Sequence, residues 1–228
     1  NIIPFLITQL LYSILIDSDK KHAGHVDSIQ RHFIRMDVVD RYKAIPEFQK
    51  ENVSNINKIR NSIYDSVINN ILTNTDKKIF SITAPTGTGK TLTSLSTALI
   101  IRNKILPQSR IIYALPFTSI IDQNFDVFDD ALQKTLPDFK NNESSYLLKH
   151  HHLAEFNYKY QGENKSLDES LDLIETWNSE IIVTTFIQFF YSVIGYKNKF
   201  LKKFHNITGS IIILDEVQNI PIKYWKLV

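Results

Sequence analysis

The chain of 228 residues contains no cysteine, a single methionine, six glycines and seven prolines. The absence of cysteine excludes disulfide bonds, thiolate metal sites and cysteine nucleophiles, and it suits a reducing compartment, so we expect a cytoplasmic protein. The few glycines and prolines are spread along the chain, which argues against a disordered or repetitive protein. A formal net charge of +2 does not by itself demand a nucleic-acid partner. The hydrophobic content of 43% is normal for a globular core, and the length allows one α/β domain with a smaller piece.

Long apolar runs are also scarce, and the main candidate is the stretch 2–16. No basic residue precedes it, no small-residue cleavage site follows it, and it is too short to span a bilayer. Pro4, Gln9 and Asp17 favour a buried helix instead. We therefore expect no membrane segment.

A glycine-rich loop stands between an apolar run and a helix-forming run. It reads Ala84, Pro85, Thr86, Gly87, Thr88, Gly89, Lys90, Thr91. Gly87 and Gly89 let the main chain approach triphosphate oxygens without a Cβ in the way. Lys90 would reach the β- and γ-phosphates and Thr91 would offer its hydroxyl to Mg²⁺, at the positive end of the following helix. Because strand, loop, Lys-Thr and helix occur in this order, the segment predicts a Walker A nucleotide loop rather than an ordinary glycine-rich turn.

Two adjacent acids, Asp215 and Glu216, follow a second apolar run at 210–214. Consecutive apolar residues before carboxylates are typical of a buried parallel strand that ends at the ligand edge of a sheet. Asp215 would hold Mg²⁺, directly or through its water, and Glu216 would orient and deprotonate the attacking water. A solvated strand end is the alternative. Together with the Walker A loop, this Walker B segment predicts hydrolysis of a nucleoside triphosphate.

The positions of polar and charged stretches along the chain predict three parts: a helical segment at 1–40, a polar linker at 41–56 and one domain at 57–228. A helix with apolar residues at 3-and-4 spacing opens the domain. We then predict strands at 78–83, 110–114, 146–149, 180–184 and 210–214, and helices at 90–103, 119–133, 166–177 and 186–194. This alternation predicts an α/β fold with a doubly wound parallel sheet flanked by helices.

Two of the predicted strands end in segments that carry hydroxyl and amide side chains beside a proline and an aromatic residue. These residues are Pro116, Phe117, Thr118, Thr184, Thr185 and Gln188. Hydroxyls and helix N-termini are good phosphate contacts, so both segments could grip a nucleic-acid backbone without reading its bases. Helix capping explains each segment alone about equally well. Their joint occurrence with both Walker segments favours a translocating motor.

The motif set APTGTGKT, ALPFTSIIDQN, IIVTTFIQFF and IIILDEVQ resembles that of the superfamily-two helicases. Many of these have Asp-Glu-Ala-His or Asp-Glu-x-Asp, whereas this chain has Gln218 in fourth place. That glutamine, the run 149–153 and the phrase 184–188 resemble the helicase–nuclease of type I CRISPR interference. The resemblance covers 55–228 and implies a first RecA-like lobe, with ATP and Mg²⁺ as cofactors and Gln218 at the nucleotide. It also implies single-stranded DNA as the track and an RNA-guided surveillance complex as partner.

The segment 10–19 resembles the last helix of the HD nuclease domain that precedes the helicase in this family. There, a late aspartate completes a site for divalent transition metal, and Asp19 is a better match for it than Asp17. The earlier histidines and the His-Asp pair of that domain have no counterpart in this chain. The site therefore cannot be assembled from these residues, and a solvated aspartate at a helix end is the alternative.

Two further clusters invite ligand hypotheses. In the run of histidines at 150–152, adjacent strand residues point to opposite faces, so at most two could reach one metal ion; a polar strand end or a DNA-contacting loop is favoured. Near the C-terminus, basic and aromatic residues alternate and predict either a surface for single strands or a solvated amphipathic helix. The members of this second cluster are Tyr196, Lys197, Lys199, Phe200, Lys202, Lys203 and Phe204.

A two-lobed motor stabilises its transition state with an arginine from a second lobe, and no such lobe follows Val228. We therefore expect a fragment that binds ATP weakly and hydrolyses it poorly alone. Gln49, Asn57 and Arg60 are weak candidates for adenine contact. Two other functions stay open: a different superfamily-two motor for restriction or repair, and a P-loop switch or scaffold that uses ATP to control a protein partner.

Overall fold

The computed structural model describes residues 2–24, 29–50, 55–151 and 158–225. The chain divides into two compact units. The first contains 1–32, 109–125 and 138–228, and the second contains 33–108 and 126–137. The domain boundaries that we drew at 40 and 56 stay a prediction.

A parallel four-stranded sheet lies in the first unit, as the alternation of apolar runs predicts. The strands of the described chain are β1 (Ile111–Leu115), β2 (Leu147–His150), β3 (Lys159–Tyr160), β4 (Glu163–Asn164), β5 (Ile181–Thr185) and β6 (Ile211–Leu214). The sheet has the order β2-β5-β1-β6, and β3 and β4 form a separate antiparallel pair. Every residue of β1 and β5 is buried, because these two strands are largely apolar and each has a neighbouring strand on both sides. β6 departs from the buried strand that we predicted: it lies at the edge of the described sheet, and Ile212 is 44% exposed.

The α-helices within the described residues are α1 (Ile2–Gly24), α2 (Val38–Lys43), α3 (Pro46–Lys50), α4 (Asn55–Thr73), α5 (Lys90–Lys104), α6 (Thr118–Thr135), α7 (Glu143–Tyr146), α8 (Leu167–Thr176), α9 (Phe186–Ile194), α10 (Asn198–Leu201) and α11 (Phe204–Ile207). Two of them start at caps that the sequence encodes. Ser166 and Glu169 form a capping box at α8, and Thr185 accepts a hydrogen bond from the Gln188 N–H at α9. α9 packs against β1 and β5 and contributes Phe186, Phe189 and Phe190 to the core of the first unit.

Polar residues attach α1 to the rest of the first unit. Ser13 is fully buried; its hydroxyl lies 3.1 Å from the Lys202 carbonyl oxygen and 2.9 Å from Nδ1 of His205. Gln9 donates to the Gly195 carbonyl oxygen, and Asp17 lies 3.6 Å from Nε2 of His205. The opposite side of α1 is apolar and exposed, with Leu11 and Leu15 among its residues.

The length of α1 corrects one expectation. The segment Ile2–His22 is 21 residues long and apolar enough to cross a membrane, whereas we took the apolar stretch to be too short. The helix continues beyond residue 16, where Asp17 pairs with Lys21 one turn further along. One helix of this kind is weak evidence for a membrane span, since core helices and signal sequences share its length and composition.

Hydrogen bonds centred on Tyr64 organise the second unit, where α5 contacts both α2 and α4. The Tyr64 hydroxyl on α4 donates to Asp40 on α2 and shares a 2.7 Å hydrogen bond with Ser96 on α5. Lys43 lies over the ring of the same tyrosine, 3.8 Å from its centroid. Burial, the largest influence, and Asp40 raise the pKa of Tyr64, so the phenol stays protonated and keeps donating.

Three other sequence predictions differ from the structure. Residues 78–83 form no strand: Ile79 is 89% exposed, and no described residue pairs with this segment, although its composition suits a strand. α2 and α3 occupy much of the predicted linker, because the Pro46 ring suits the first turn of a helix. The helix predicted over 1–40 is interrupted, since α1 ends at Gly24 and the described residues 29–37 are not helical.

Candidate active site

The predicted phosphate loop adopts a conformation that requires glycine. Gly87 and Gly89 have φ values of 77° and 84°, in the left-handed region that disfavours residues with a Cβ. Gly89 is the N-cap of α5, its carbonyl oxygen accepts from the Thr93 N–H at 3.0 Å, and Lys90 and Thr91 are the first residues of the helix. A Cβ built on either glycine meets no heavy atom within 4 Å, so the space beside the loop is open. An open, glycine-bent main chain ahead of a 15-residue helix fits a triphosphate with its Mg²⁺.

Two hydrogen bonds hold this loop in place. The Thr88 hydroxyl donates to the Pro85 carbonyl oxygen at 2.7 Å, and Arg60 Nε on α4 donates to the Gly87 carbonyl oxygen at 2.9 Å. A second guanidinium nitrogen of Arg60 bonds Asn57 at 3.1 Å. Two of the three adenine candidates therefore lie at the phosphate loop, and the side chain of Gln49 lies outside the described residues.

The predicted Walker B acids end β6, in the first unit. The Asp215 carboxylate accepts from the Tyr113 hydroxyl at 2.7 Å and from the Glu216 N–H at 2.9 Å. Glu216 has a left-handed backbone with φ of 56°, which is uncommon for a residue other than glycine. Its side chain accepts from Gln218 at 2.5 Å. Strained backbone at the end of a strand is typical of functional positions.

The carboxyl ends of the four parallel strands bring most of the other predicted residues to one edge of the sheet. Thr184 pairs in register with His150, Leu115 with Thr185, and Ala114 with Leu214. Pro116, Phe117 and Thr118 after β1, Thr184, Thr185 and Gln188 around the end of β5, and Asp215 after β6 therefore share this edge. Ala84 to Thr91 belong to the second unit, and the Walker B residues belong to the first. This edge is where open parallel sheets bind their ligands.

The two threonine hydroxyls at the end of β5 already have internal partners. Thr184 is fully buried and its hydroxyl donates to the His150 carbonyl oxygen at 2.7 Å, and Thr185 caps α9. Gln188 is half-buried and Phe117 is 53% exposed, so these side chains can meet a ligand from solvent. Contact of all six predicted residues with nucleic acid stays a prediction.

The basic and aromatic cluster at 196–204 is divided by burial. Lys202 and Lys203 are 4% and 1% exposed, and Phe204 is 7% exposed, so these three cannot form the predicted surface. Lys202 pairs instead with Glu175 at 2.7 Å. The chain turns these residues inwards because α10 and α11 pack against α1. Tyr196, Lys197 and Lys199 remain exposed.

The described residues contain no cluster of side chains of the kind that the two metal hypotheses require. Within the residues that the structure describes, no group of three or more His, Asp or Glu side chains could hold a metal ion. His150 is turned to Trp177, which donates its indole N–H to Nδ1 at 2.6 Å, and His152 lies outside the described residues. Asp19 is exposed on α1, and Asp17 binds Lys21 at 2.7 Å. The described residues therefore do not fit a transition-metal site.

Comparison with known proteins agrees with the order of these motifs. Residues 43–228 match the family described as "Type III restriction enzyme, res subunit". The chain belongs to this family. A curated relative is the CRISPR-associated nuclease/helicase Cas3 of Haloferax volcanii, which is 36% identical over 159 residues. That match covers 64% of this chain and 16% of the relative, so the chain spans a small part of the relative's length. The predicted RecA-like α/β fold and the resemblance to the CRISPR helicase–nucleases are confirmed.

The structure adds two residues that sequence reasoning missed. Tyr113 lies within an apolar strand, where it passes for a core aromatic, and its hydroxyl reaches the Walker B aspartate. Trp177 ends α8 with φ of 58°, at a position where glycine is usual. A large aromatic residue at a helix C-terminus, a few residues before a strand, is the signal that could have pointed to it.

Proposed function

We propose that this chain is the nucleotide-binding lobe of a motor that hydrolyses ATP to move along single-stranded DNA, in a CRISPR interference helicase–nuclease. The observation that carries the proposal is the glycine-bent phosphate loop at the start of α5, together with an Asp-Glu pair at the ligand edge of a parallel sheet. A nuclease/helicase relative at 36% identity supports the same assignment.

In this proposal, the phosphate loop binds ATP through its main chain and the N-terminus of α5. Lys90 holds the terminal phosphates, and Thr91 and Asp215 provide oxygen ligands for Mg²⁺. When bound, Mg²⁺ would neutralise the negative charge that develops as the γ-phosphate leaves the β-phosphate. Glu216 orients and deprotonates the attacking water, and Gln218 keeps the Glu216 carboxylate in place.

The DNA strand is proposed to run along the carboxyl edge of the sheet. Pro116 and Phe117 lead into α6, which begins at Thr118. Thr184 and Thr185 end β5 directly before α9, which contains Gln188, so two helix N-termini face this edge. Main-chain amides and hydroxyls at such positions bind phosphates without reading bases. Both segments therefore suit a motor that moves on any sequence.

The remaining inferences rest on the resemblance of the sequence motifs to those of the CRISPR helicase–nucleases. We infer recruitment by an RNA-guided surveillance complex, action in the cytoplasm without a membrane partner, and a nuclease that uses a divalent transition metal held in part by Asp19. Because the described residues hold no cluster of metal ligands, no nuclease step is assigned to them.

A second candidate is a restriction translocase, which the name of the matching family favours. Nuclease histidines encoded directly upstream of this sequence would support the CRISPR assignment, and a restriction-type gene context would support the alternative. A P-loop switch that controls a protein partner would hydrolyse ATP without responding to DNA.

The test is ATP hydrolysis by the full-length protein that carries this sequence, with and without single-stranded DNA, for the wild type, Lys90→Ala and Glu216→Gln. Stimulation by DNA that both substitutions abolish supports the motor. Lys77→Ala, an exposed basic residue in the same unit, is the control and should hydrolyse ATP normally. Hydrolysis that DNA leaves unchanged contradicts the motor and favours the switch.

A further inference from the structure

A buried chain of polar contacts runs behind the strand edge where DNA is proposed to bind. Trp177 Nε1 donates to His150 Nδ1 at 2.6 Å, and the Gln188 amide nitrogen lies 3.4 Å from His150 Nε2. Trp177 is fully buried and His150 is 7% exposed, whereas Gln188 reaches the surface at the first turn of α9. The chain thus leads from the end of α8, through the end of β2, to a predicted DNA contact.

The chemistry of the indole fixes the tautomer of His150. An indole N–H can only donate, so Nδ1 must accept and carries no proton. The neutral imidazole then carries its proton on Nε2. Burial, the largest influence, and the charges of Lys203, His151 and Lys199 lower the pKa of His150 well below its usual value, which keeps the ring neutral.

This tautomer in turn fixes the direction of Gln188. His150 Nε2–H can only donate, so the end of the Gln188 amide that faces it must be the carbonyl oxygen. Half a turn about the last side-chain bond brings that oxygen to the position of the amide nitrogen and moves no other residue. The Gln188 NH₂ group then points away from the histidine. The main chain of Gln188 is held independently, by Thr185 at its N–H and Ser192 at its carbonyl oxygen.

The backbone of Trp177 adopts a conformation that disfavours a bulky side chain. Its φ of 58° lies in the left-handed region, which strains a bulky residue and favours glycine at a helix C-terminus. Lys203 Nζ lies 5.1 Å from the centroid of the indole ring and helps to fix its plane.

We propose that Trp177 and His150 are positioning residues that orient the Gln188 carboxamide, so that its NH₂ group faces outwards as a donor for a phosphate of single-stranded DNA. The inference rests on the proposed function and assigns two residues to it. Neither residue touches the DNA; both act through Gln188.

The test compares Trp177→Phe, which removes the indole N–H and keeps an aromatic ring, with the matched control Trp225→Phe. Trp225 also donates its indole N–H, to the Ile220 carbonyl oxygen at 2.8 Å, and is 61% exposed. In the full-length protein, Trp177→Phe should weaken binding of a single-stranded oligonucleotide roughly 5-fold, as expected for the loss of one hydrogen bond. ATP turnover at saturating DNA should stay at the wild-type value, and Trp225→Phe should leave both quantities unchanged.

A double-mutant cycle separates positioning from simple support of the fold. Gln188→Ala should weaken DNA binding about as much as Trp177→Phe, and the double variant should lose no more than either single variant. Losses that multiply, or an unaffected Trp177→Phe, would overturn the inference. If the wild type itself does not bind DNA, the proposed function fails instead.

A measurement on the unchanged protein covers the case in which a variant does not fold. Nitrogen-15 NMR of the histidine side chains reports which ring nitrogen carries the proton. A neutral His150 protonated at Nε2 at pH 7 supports the inference, and a proton on Nδ1 overturns it.

Discussion

The Tyr113 hydroxyl donates a 2.7 Å hydrogen bond to Oδ2 of Asp215, across the neighbouring strands β1 and β6. The Glu216 N–H bonds the other carboxylate oxygen, so both oxygens have fixed directions before any ligand binds. We predict that Tyr113→Phe lowers ATP turnover by about 10-fold, because outer partners of a metal-binding carboxylate set its orientation. Steady-state ATPase assays over a range of Mg²⁺ concentrations measure this effect. Tyr12→Phe, which removes an exposed hydroxyl, should have wild-type turnover; equal turnover in the Tyr113 variant would refute the role of its hydroxyl.

Alanine at Gly87 or Gly89 should weaken nucleotide binding. A left-handed conformation costs a residue with a Cβ roughly 1–2 kcal/mol, so the loop would relax away from its present shape. We expect affinity for a fluorescent ATP analogue to fall about 10-fold. Gly209→Ala is the control, because Gly209 has φ of 74° and open space beside it but lies outside the loop. Gly209→Ala should lower the free energy of unfolding by a similar amount and leave the affinity for the ATP analogue intact. A comparable loss of affinity in Gly209→Ala would contradict the assignment of the loop as the nucleotide site.

Arg31 and Glu180 form an ion pair that fixes the segment after α1 to the start of β5. Glu180 is 1% exposed and accepts from Arg31 at 2.7 and 2.6 Å and from the His32 N–H at 2.7 Å. Arg31→Ala should lower the free energy of unfolding by about 3 kcal/mol, because it leaves a buried carboxylate without its cation. Urea unfolding measures the change. The exposed pair of Lys77 and Asp76 provides the control: Lys77→Ala should change stability by less than about 0.5 kcal/mol.

Acid should destabilise the protein through its buried histidines. Burial lowers the pKa of His150, and it also lowers the pKa values of His32 and His205. Each of these histidines binds fewer protons in the folded state than in the unfolded state. Their contribution to the free energy of unfolding is therefore fully present above about pH 6.5 and is lost as the pH falls towards the pKa values of the folded state. His150→Gln should remove up to about 1.4 kcal/mol per pH unit from this dependence. Urea midpoints between pH 8 and 5 measure it, with exposed His22→Gln as control; an unchanged pH dependence in the His150 variant would contradict the prediction.

Local sequence patterns predicted most of the first unit. β1 and the first three residues of β5 are continuous apolar runs, and Thr185 at the end of β5 caps the following helix. The segment 78–83 has the same kind of composition, yet it is not a strand. A strand exists only with a pairing partner, and pairing depends on residues far away in the chain.

The contacts around the candidate site were less predictable. His150 and Trp177, like Tyr113 and Asp215, meet only through the register of the sheet and the packing of the helices on it. Burial of Lys202 and Lys203 has the same origin, because charged residues are exposed by default and only the fold places acids and aromatic rings beside them. The motif residues themselves follow from chemistry at short spacing, and their roles stay predictions.

The attachment of α1 has a consequence for how the protein opens. The buried side chains among the described residues of this helix are Gln9, Ser13 and Asp17, so directional polar contacts, more than apolar burial, hold it in place. The effect of a denaturant on an opening reaction scales with the surface that the reaction exposes. Detachment and unfolding of α1 should therefore be a local fluctuation that urea promotes less than it promotes unfolding of the sheet. Amide hydrogens of α1 should exchange through this fluctuation with a weaker urea dependence than the amide hydrogens of β1 and β5.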